Sequence, residues 1–257
     1  MIAIHRLLKQ AKLVLVGIIL LFHSCQNPRD EKVRLAVSSN AHFAIEEICK
    51  SFEIETGIKT EIISGSSGKL TAQILSDAPY DIFISADMKY PTKVFTKGYA
   101  VNPPKIYGYG KLILWSFSVD TLVTIDQLKN SDITKISMAN PKLAPYGEAA
   151  FSALENAELY ETIKQKLVFG ESIAQVNQFI NTRSTEVGIT SLSSVYAFDE
   201  KQRGKWVEIP TDLYEPIAQG AVIIQKSNGE TKPGAIRFYD FLFSSDSKEI
   251  LSSNGYY

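Results

Sequence analysis

Histidine and cysteine are scarce in this chain of 257 residues, which has three histidines and two cysteines. His5 and His23 fall in an apolar N-terminal segment, so His42 is the histidine that remains for the rest of the chain. A hydrolase of the serine–histidine–aspartate type needs a histidine base beside its nucleophile. A metal site built from protein ligands needs several histidines, cysteines or carboxylates at suitable spacing, and the sequence has no such cluster. A serine-based enzyme and a protein-ligated metal are therefore the least favoured interpretations.

A strong charge of either sign is also missing. The chain has 27 Lys and Arg against 28 Asp and Glu. The first 25 residues contain three of the basic residues and no acidic one, which leaves 24 against 28, a net charge of −4. This balance argues against a nucleic-acid interface, which needs a basic surface. A bound anion would have to be held by local dipoles and hydrogen-bond donors.

The N-terminus is typical of an exported protein. Residues 1–25 begin with Arg6, Lys9 and Lys12, continue with an apolar stretch over 13–22, and end at Cys25. This pattern predicts a signal peptide. Its last six residues are similar to a bacterial lipobox, so we expect a lipid on Cys25, with 26–32 as a tether to the membrane surface. The alternatives are ordinary cleavage and an uncleaved anchor.

The second cysteine is expected to be structural. Cys49 shares the apolar face of a predicted helix with Ile45 and Phe52, which is typical of a buried, unreactive thiol. With Cys25 consumed by lipid, no disulfide is available, although the exported compartment would permit one.

Apolar strands alternate with amphipathic helices from residue 33 onward, which predicts an α/β fold. Strands are expected at 33–37, 59–63, 81–85, 111–116, 133–139, 166–168, 187–190 and 219–225, and helices at 43–56, 69–76, 147–154, 173–181, 235–242 and 247–251. One doubly wound domain would account for this order. The apolar strands near residues 112 and 221 instead suggest a crossing into a second lobe and a return, with 33–113 plus 218–257 in the first lobe and 114–217 in the second.

Two serine-rich turns carry most of the functional information. Ser38-Ser39-Asn40 and Gly65-Ser66-Ser67-Gly68 each lie between a predicted strand and a predicted helix. A helix start has free N–H donors and the positive end of the helix dipole, so two such starts at one sheet edge favour a bound oxyanion. Simple helix capping is the alternative. Neither turn has the spacing of a nucleophile elbow or of a phosphate-binding loop.

Five segments, taken in order, resemble motifs of the periplasmic molybdate-binding proteins of ABC transporters. The most specific is Ala78-Pro79-Tyr80-Asp81-Ile82-Phe83-Ile84-Ser85-Ala86-Asp87; the others are 36–48, 65–74, 110–116 and 139–147. The resemblance extends from about residue 33 to residue 256. It implies a two-lobed type II periplasmic binding protein fold, in which each lobe is a mostly parallel sheet flanked by helices and the ligand lies in the cleft between the lobes.

The resemblance also implies a set of oxyanion contacts. In this sequence they fall on Ser39, Asn40, Ser67, Tyr146 and Ile173. Ser66 is the neighbouring alternative to Ser67. A further family contact, which is a tyrosine in one branch, falls on Ser191 here.

The function implied by the resemblance is capture without chemistry. The protein would close around molybdate or tungstate by a hinge motion and deliver the anion to the permease of an ABC importer. We expect a monomer without cofactor, enzymatic activity or nucleic-acid partner. Receptors for sulfate, thiosulfate or phosphate remain the alternative. The absence of Asp and Glu from both serine turns favours a fully deprotonated ligand.

Overall fold

The computed structural model describes residues 32–225 and 229–257. The predicted signal peptide, Cys25 and the tether up to residue 31 lie outside the described residues, so these expectations stay predictions. Among the residues that are described, no helix combines the length and the apolar character needed to cross a membrane.

Within the described residues, ten strands form two five-stranded sheets. The first sheet has the order β2-β1-β3-β10-β4, with β1 Val33–Ser38, β2 Thr60–Gly65, β3 Ile82–Ile84, β4 Lys105–Gly110 and β10 Ile217–Ile223. The second has the order β7-β6-β8-β5-β9, with β5 Leu112–Ser116, β6 Ile136–Ala139, β7 Leu167–Gly170, β8 Val187–Ser191 and β9 Lys205–Glu208. We call each sheet with its helices a lobe.

The chain crosses between the sheets twice, from β4 to β5 and from β9 to β10. β1 is parallel to β2 and β3, and β6 is parallel to β7 and β8, whereas β10 and β5 pair antiparallel with both of their neighbours. The predicted α/β fold with two sheets is confirmed. In the described residues, parallel pairing accounts for half of each sheet, because the crossing strand β5 and the returning strand β10 run against their neighbours. The second sheet begins at Leu112, two residues before the predicted lobe boundary, which stays a prediction.

The helices cover the faces of the sheets. They are α1 His42–Thr56, α2 Ser67–Ile74, α3 Lys89–Thr96, α4 Pro145–Asn156, α5 Tyr160–Ile163, α6 Ile173–Asn181, α7 Ser193–Tyr196, α8 Pro233–Leu242 and α9 Ser245–Ser253, with short 3-10 turns at Ser39–Ala41, Ile125–Lys129, Lys164–Lys166, Glu200–Gln202 and Thr211–Leu213. Each lobe has apolar core residues that pack between its sheet and these helices.

The first helix shows how closely local sequence and structure agree. α1 buries Ile45, Ile48, Cys49 and Phe52 on one face and ends at Gly57, whose φ of 72° is the left-handed conformation that favours glycine. Burial of Cys49 raises the pKa of its thiol to about 12, so the thiol stays protonated at physiological pH. The prediction of a buried cysteine on this face is confirmed.

Candidate functional site

A small cavity lies between the two lobes, where the carboxyl ends of β1 and β2 face two helix starts of the second lobe. The volume open to the centre of a water molecule is about 10 Å³, which is room for about one water molecule. The described residues that line it are uncharged: Ser38, Ser39, Gly65, Ser66 and Ala86 from the first lobe, and Ala144, Pro145, Tyr146 and Ile173 from the second. The cavity is therefore very small, and its lining offers an anion no opposite formal charge.

Four helical segments begin at this cavity. The 3-10 turn Ser39–Ala41 leads into α1, and α2 follows β2 in the first lobe. The starts of α4 and α6 face them from the second lobe. A helix start presents unpaired N–H groups and about half a positive elementary charge. The convergence gives the cavity a positive potential without a lysine or an arginine.

The residues before these helices do not cap them with their side chains. Ser38, Ser66 and Ser172 occupy the N-cap positions of the Ser39–Ala41 turn, α2 and α6, and none makes a side-chain capping bond. In contrast, the Ser244 side chain at the start of α9 accepts a hydrogen bond from the Ser247 N–H. Helix capping thus does not account for the serine turns, and their donors remain available.

Three hydroxyl groups have protons to offer at the cavity wall. Ser66 Oγ is buried and has no hydrogen-bond partner. Ser38 Oγ accepts from Ser67 Oγ at 3.2 Å, and Ser39 Oγ accepts from Ser64 Oγ at 3.3 Å. Since Ser38 and Ser39 use acceptor positions in these bonds, their own O–H groups are free to donate.

Ser67 lies just behind the lining residues and is fully buried. Its Oγ accepts from the Ala86 N–H at 3.1 Å and donates to Ser38 Oγ at 3.2 Å. The Ser67 hydroxyl is thus the acceptor for the main-chain N–H of Ala86, a residue of the cavity wall.

Asn40 does not line the cavity, and its side chain points into the interior of the first lobe. Its Nδ2 donates to Gln219 Oε1 at 2.8 Å and to Tyr256 OH at 3.1 Å. Its carbonyl oxygen accepts from Ser193 Oγ of the second lobe at 2.8 Å. Asn40 therefore fixes the position of the first serine turn through its side chain.

Tyr146 and Ile173 reach the cavity as the second residue of α4 and the first residue of α6. Helix geometry leaves their N–H groups without an intrahelical acceptor. Burial raises the pKa of the Tyr146 phenol well above its ordinary value, and burial has the same effect on the pKa of Tyr107 and Tyr256. These phenols therefore stay neutral over the physiological pH range.

The structure thus places Ser39, Tyr146 and Ile173 on the wall, and Asn40 and Ser67 behind it. Ser191 lies elsewhere, with its Oγ bonded to Ser193 Oγ and Ser194 Oγ. The lining residues Ser38, Ala86, Ala144 and Pro145 were not among the predicted contacts. All four lie within the motif segments quoted above, and this was the signal from which the sequence could have identified them. In the part of the chain that is described, no group of three or more His, Cys, Asp or Glu could hold a metal ion.

The two lobes are in contact around the cavity. Lys89 pairs with Glu148 at 2.9 Å, and Lys69 pairs with Glu171 at 3.2 Å, each from one lobe to the other. The Gly68 N–H donates to the Leu143 carbonyl at 3.0 Å. The protein is therefore in a closed conformation.

Two relatives and one solved structure are similar to this chain over most of its length. ModA, the molybdate-binding protein of Azotobacter vinelandii, is 38% identical over 229 residues, covering 88% of this chain and 89% of that relative. The molybdate-binding protein ModA of Rhodobacter capsulatus is 35% identical over 226 residues, covering 88% of each. The solved periplasmic molybdate-binding protein of A. vinelandii superposes with a TM-score of 0.82 at 29% identity, covering 88% of this chain and 99% of that chain.

The match in fold confirms the predicted two-lobed α/β architecture. The family described as bacterial extracellular solute-binding proteins matches residues 33–257, nearly the whole described region. This chain therefore belongs to the family of bacterial extracellular solute-binding proteins.

Proposed function

We propose that this protein captures molybdate or tungstate outside the cell membrane and presents it to the permease of an ABC importer. The observation that carries the proposal is the small, uncharged cavity at which four helical segments begin. The relatives named as molybdate-binding proteins support the same choice of ligand. Binding of this kind needs donors and a closing motion, and no catalytic group.

We propose the anion contacts residue by residue. Ser39 donates its hydroxyl, and Asn40 contributes its main-chain N–H, since its side chain is engaged with Gln219. Ser67 rotates so that its hydroxyl turns to the anion. Tyr146 and Ile173 donate main-chain N–H groups from the second lobe. Ser66, whose hydroxyl is buried at the wall without a partner, is a further donor.

Hydrogen bonds to a charged group are roughly twice as strong as neutral ones, so six donors can replace the hydration of a dianion. The described lining has no carboxylate and hence no acceptor for a proton on the ligand. An oxyanion that is partly protonated at neutral pH would place its O–H against these donors. The cavity should therefore favour a fully deprotonated anion, and the relatives named as molybdate-binding proteins support molybdate over sulfate.

We expect molybdate and tungstate to raise the melting temperature and sulfate and phosphate to have little effect. At a free ligand concentration one hundred times Kd, the stabilisation is about 2.7 kcal/mol. Differential scanning fluorimetry with all four anions, followed by calorimetric titration, measures this. If neither metal oxyanion shifts the melting temperature at millimolar concentration, the proposal is wrong.

We also propose that the protein is exported as a monomer and held at the membrane by a lipid on Cys25. Lipidation supplies about 0.8 kcal/mol per buried methylene, so several acyl chains together give stable attachment. The expected result is that globomycin blocks processing of the full chain and that Cys25→Ser abolishes both this processing and the incorporation of labelled lipid. Processing that is insensitive to globomycin would contradict lipidation at Cys25. It would not bear on the proposed oxyanion site.

A further inference from the structure

The side chain of Tyr146 leaves the second lobe and enters the first. Its phenol oxygen accepts a hydrogen bond from Gln219 Nε2 at 3.2 Å, although the two residues lie on opposite lobes. The tyrosine is 2% exposed, so almost its whole ring is covered. This contact lies in addition to the main-chain N–H by which Tyr146 faces the cavity.

Gly110 makes the space for the phenol. This residue ends β4, directly before the chain crosses to the second lobe. A Cβ atom at Gly110 would lie 1.9 Å from the Tyr146 hydroxyl and 2.5 Å from Gln219 Nε2. Both distances are shorter than any real contact, so a side chain at residue 110 would have to displace the phenol or the amide.

Gln219 is held in one orientation. Its Oε1 accepts from Asn40 Nδ2 at 2.8 Å and from Tyr107 OH at 2.7 Å. With the oxygen side of the amide occupied inside the first lobe, the nitrogen side faces Tyr146. The glutamine is fully buried and sits at an irregularity of β10, between residues 219 and 220, where the register with β4 shifts.

We propose that the Tyr146 phenol, the Gln219 amide and the Gly110 socket form a latch that holds the two lobes closed. Gln219 is its positioning residue, because one amide joins Asn40 of the first serine turn to the tyrosine at the start of α4. When the phenol enters the socket, the main-chain N–H of Tyr146 comes to lie at the cavity wall. The latch thus couples lobe closure to completion of the donor set.

The effect on affinity rests on the proposed oxyanion binding, whereas the effect on closure does not. Tyr146→Phe keeps the ring and the main-chain N–H and removes only the acceptor of the latch. Gly110→Ala fills the socket. Tyr239→Phe is the matched control, since it also removes a tyrosine hydroxyl that accepts from a side-chain amide, here Asn102 Nδ2 at 2.7 Å, but within the first lobe and without a bond to Gln219.

The experiment measures molybdate Kd by calorimetry, the dissociation rate by stopped flow, and the radius of gyration of the ligand-free protein by small-angle scattering. We expect Tyr146→Phe to weaken binding by roughly 2- to 12-fold, through faster dissociation, as for one net hydrogen bond. Gly110→Ala should weaken it by roughly 5- to 150-fold, as for an overfilled site. Both variants should be more expanded without ligand. Tyr239→Phe should lower the melting temperature and leave Kd and the radius of gyration unchanged.

The latch is refuted if Tyr146→Phe matches the wild type in Kd and radius of gyration, or if Tyr239→Phe weakens binding equally. If Gly110→Ala does not fold, the comparison of the two phenylalanine variants still decides. If the wild type binds neither metal oxyanion, the proposed function fails, and the scattering data on the ligand-free variants then judge the latch by themselves.

Discussion

Gly147→Ala is expected to lower the melting temperature and to weaken oxyanion binding by about tenfold or more. Gly147 follows Tyr146 in the first turn of α4, and α4 packs against the end of β6. A Cβ atom at residue 147 would lie 2.3 Å from the Ala139 carbonyl oxygen and 2.8 Å from the Asn140 carbonyl carbon. These atoms belong to the main chain and cannot rotate away, so the helix start itself must move.

The cost follows from that displacement. Overpacking typically costs about 1–3 kcal/mol, and a domain of this size loses about 2–4 °C of melting temperature per kcal/mol. Binding suffers as well, because the N–H proposed to contact the anion belongs to the adjacent residue. Scanning calorimetry and titration with molybdate measure the two effects.

Gly108→Ala is the matched control for this prediction. A Cβ atom at Gly108 would make an ordinary contact of 3.4 Å with the Tyr256 ring, and residue 108 lies in β4, away from the cavity lining. We expect little change in either measurement. If Gly147→Ala behaves like this control, the start of α4 is not held as tightly as its contacts indicate.

Ser67→Ala is expected to reduce both stability and affinity, whereas Ser66→Ala should reduce affinity alone. Removing the Ser67 hydroxyl leaves the buried Ala86 N–H without its acceptor, at a cost of about 1–3 kcal/mol in the ligand-free protein. Loss of a hydrogen bond to a charged ligand costs about 1.5–3 kcal/mol in binding. Ser66 Oγ has no partner to lose, so its removal should leave the unfolding free energy unchanged or slightly higher.

Urea unfolding without ligand and calorimetric titration with molybdate separate the two serines. If Ser67→Ala binds like the wild type and Ser66→Ala binds more weakly, the contact is made by Ser66 and not by Ser67. Wild-type affinity in both variants would exclude the hydroxyls of the second serine turn as contacts of the anion.

Local patterns predicted most of the fold because they reflect local physics. The buried face of α1, its stop at Gly57 and the apolar strand β3 all follow from periodicity and turn residues. The helix α3 was not predicted, since Pro91 lies inside it, and the edge strands β4 and β9 were not predicted either. Edge strands are half exposed and lack a continuous apolar run; β4 also contains two glycines.

The site was less predictable than the fold, because its details depend on residues far apart in sequence. Asn40 and Gln219 are separated by 179 positions, and their hydrogen bond decides that the Asn40 side chain faces inward. A glutamine inside the apolar strand β10 was the visible signal for a buried polar network. Which hydroxyls donate to each other, as with Ser67 and Ser38, is set by distances that no spacing rule supplies.

The division of the cavity wall between two lobes has a kinetic consequence. Ser38, Ser39 and Ser66 belong to the first lobe, and Tyr146 and Ile173 to the second. When the lobes separate, each keeps an incomplete cradle, and water reaches the anion from the open side. On the proposed function, the residence time of the anion would be governed by how often the lobes part, and the anion could be unloaded without protonation, counter-ion exchange or chemical change in the protein.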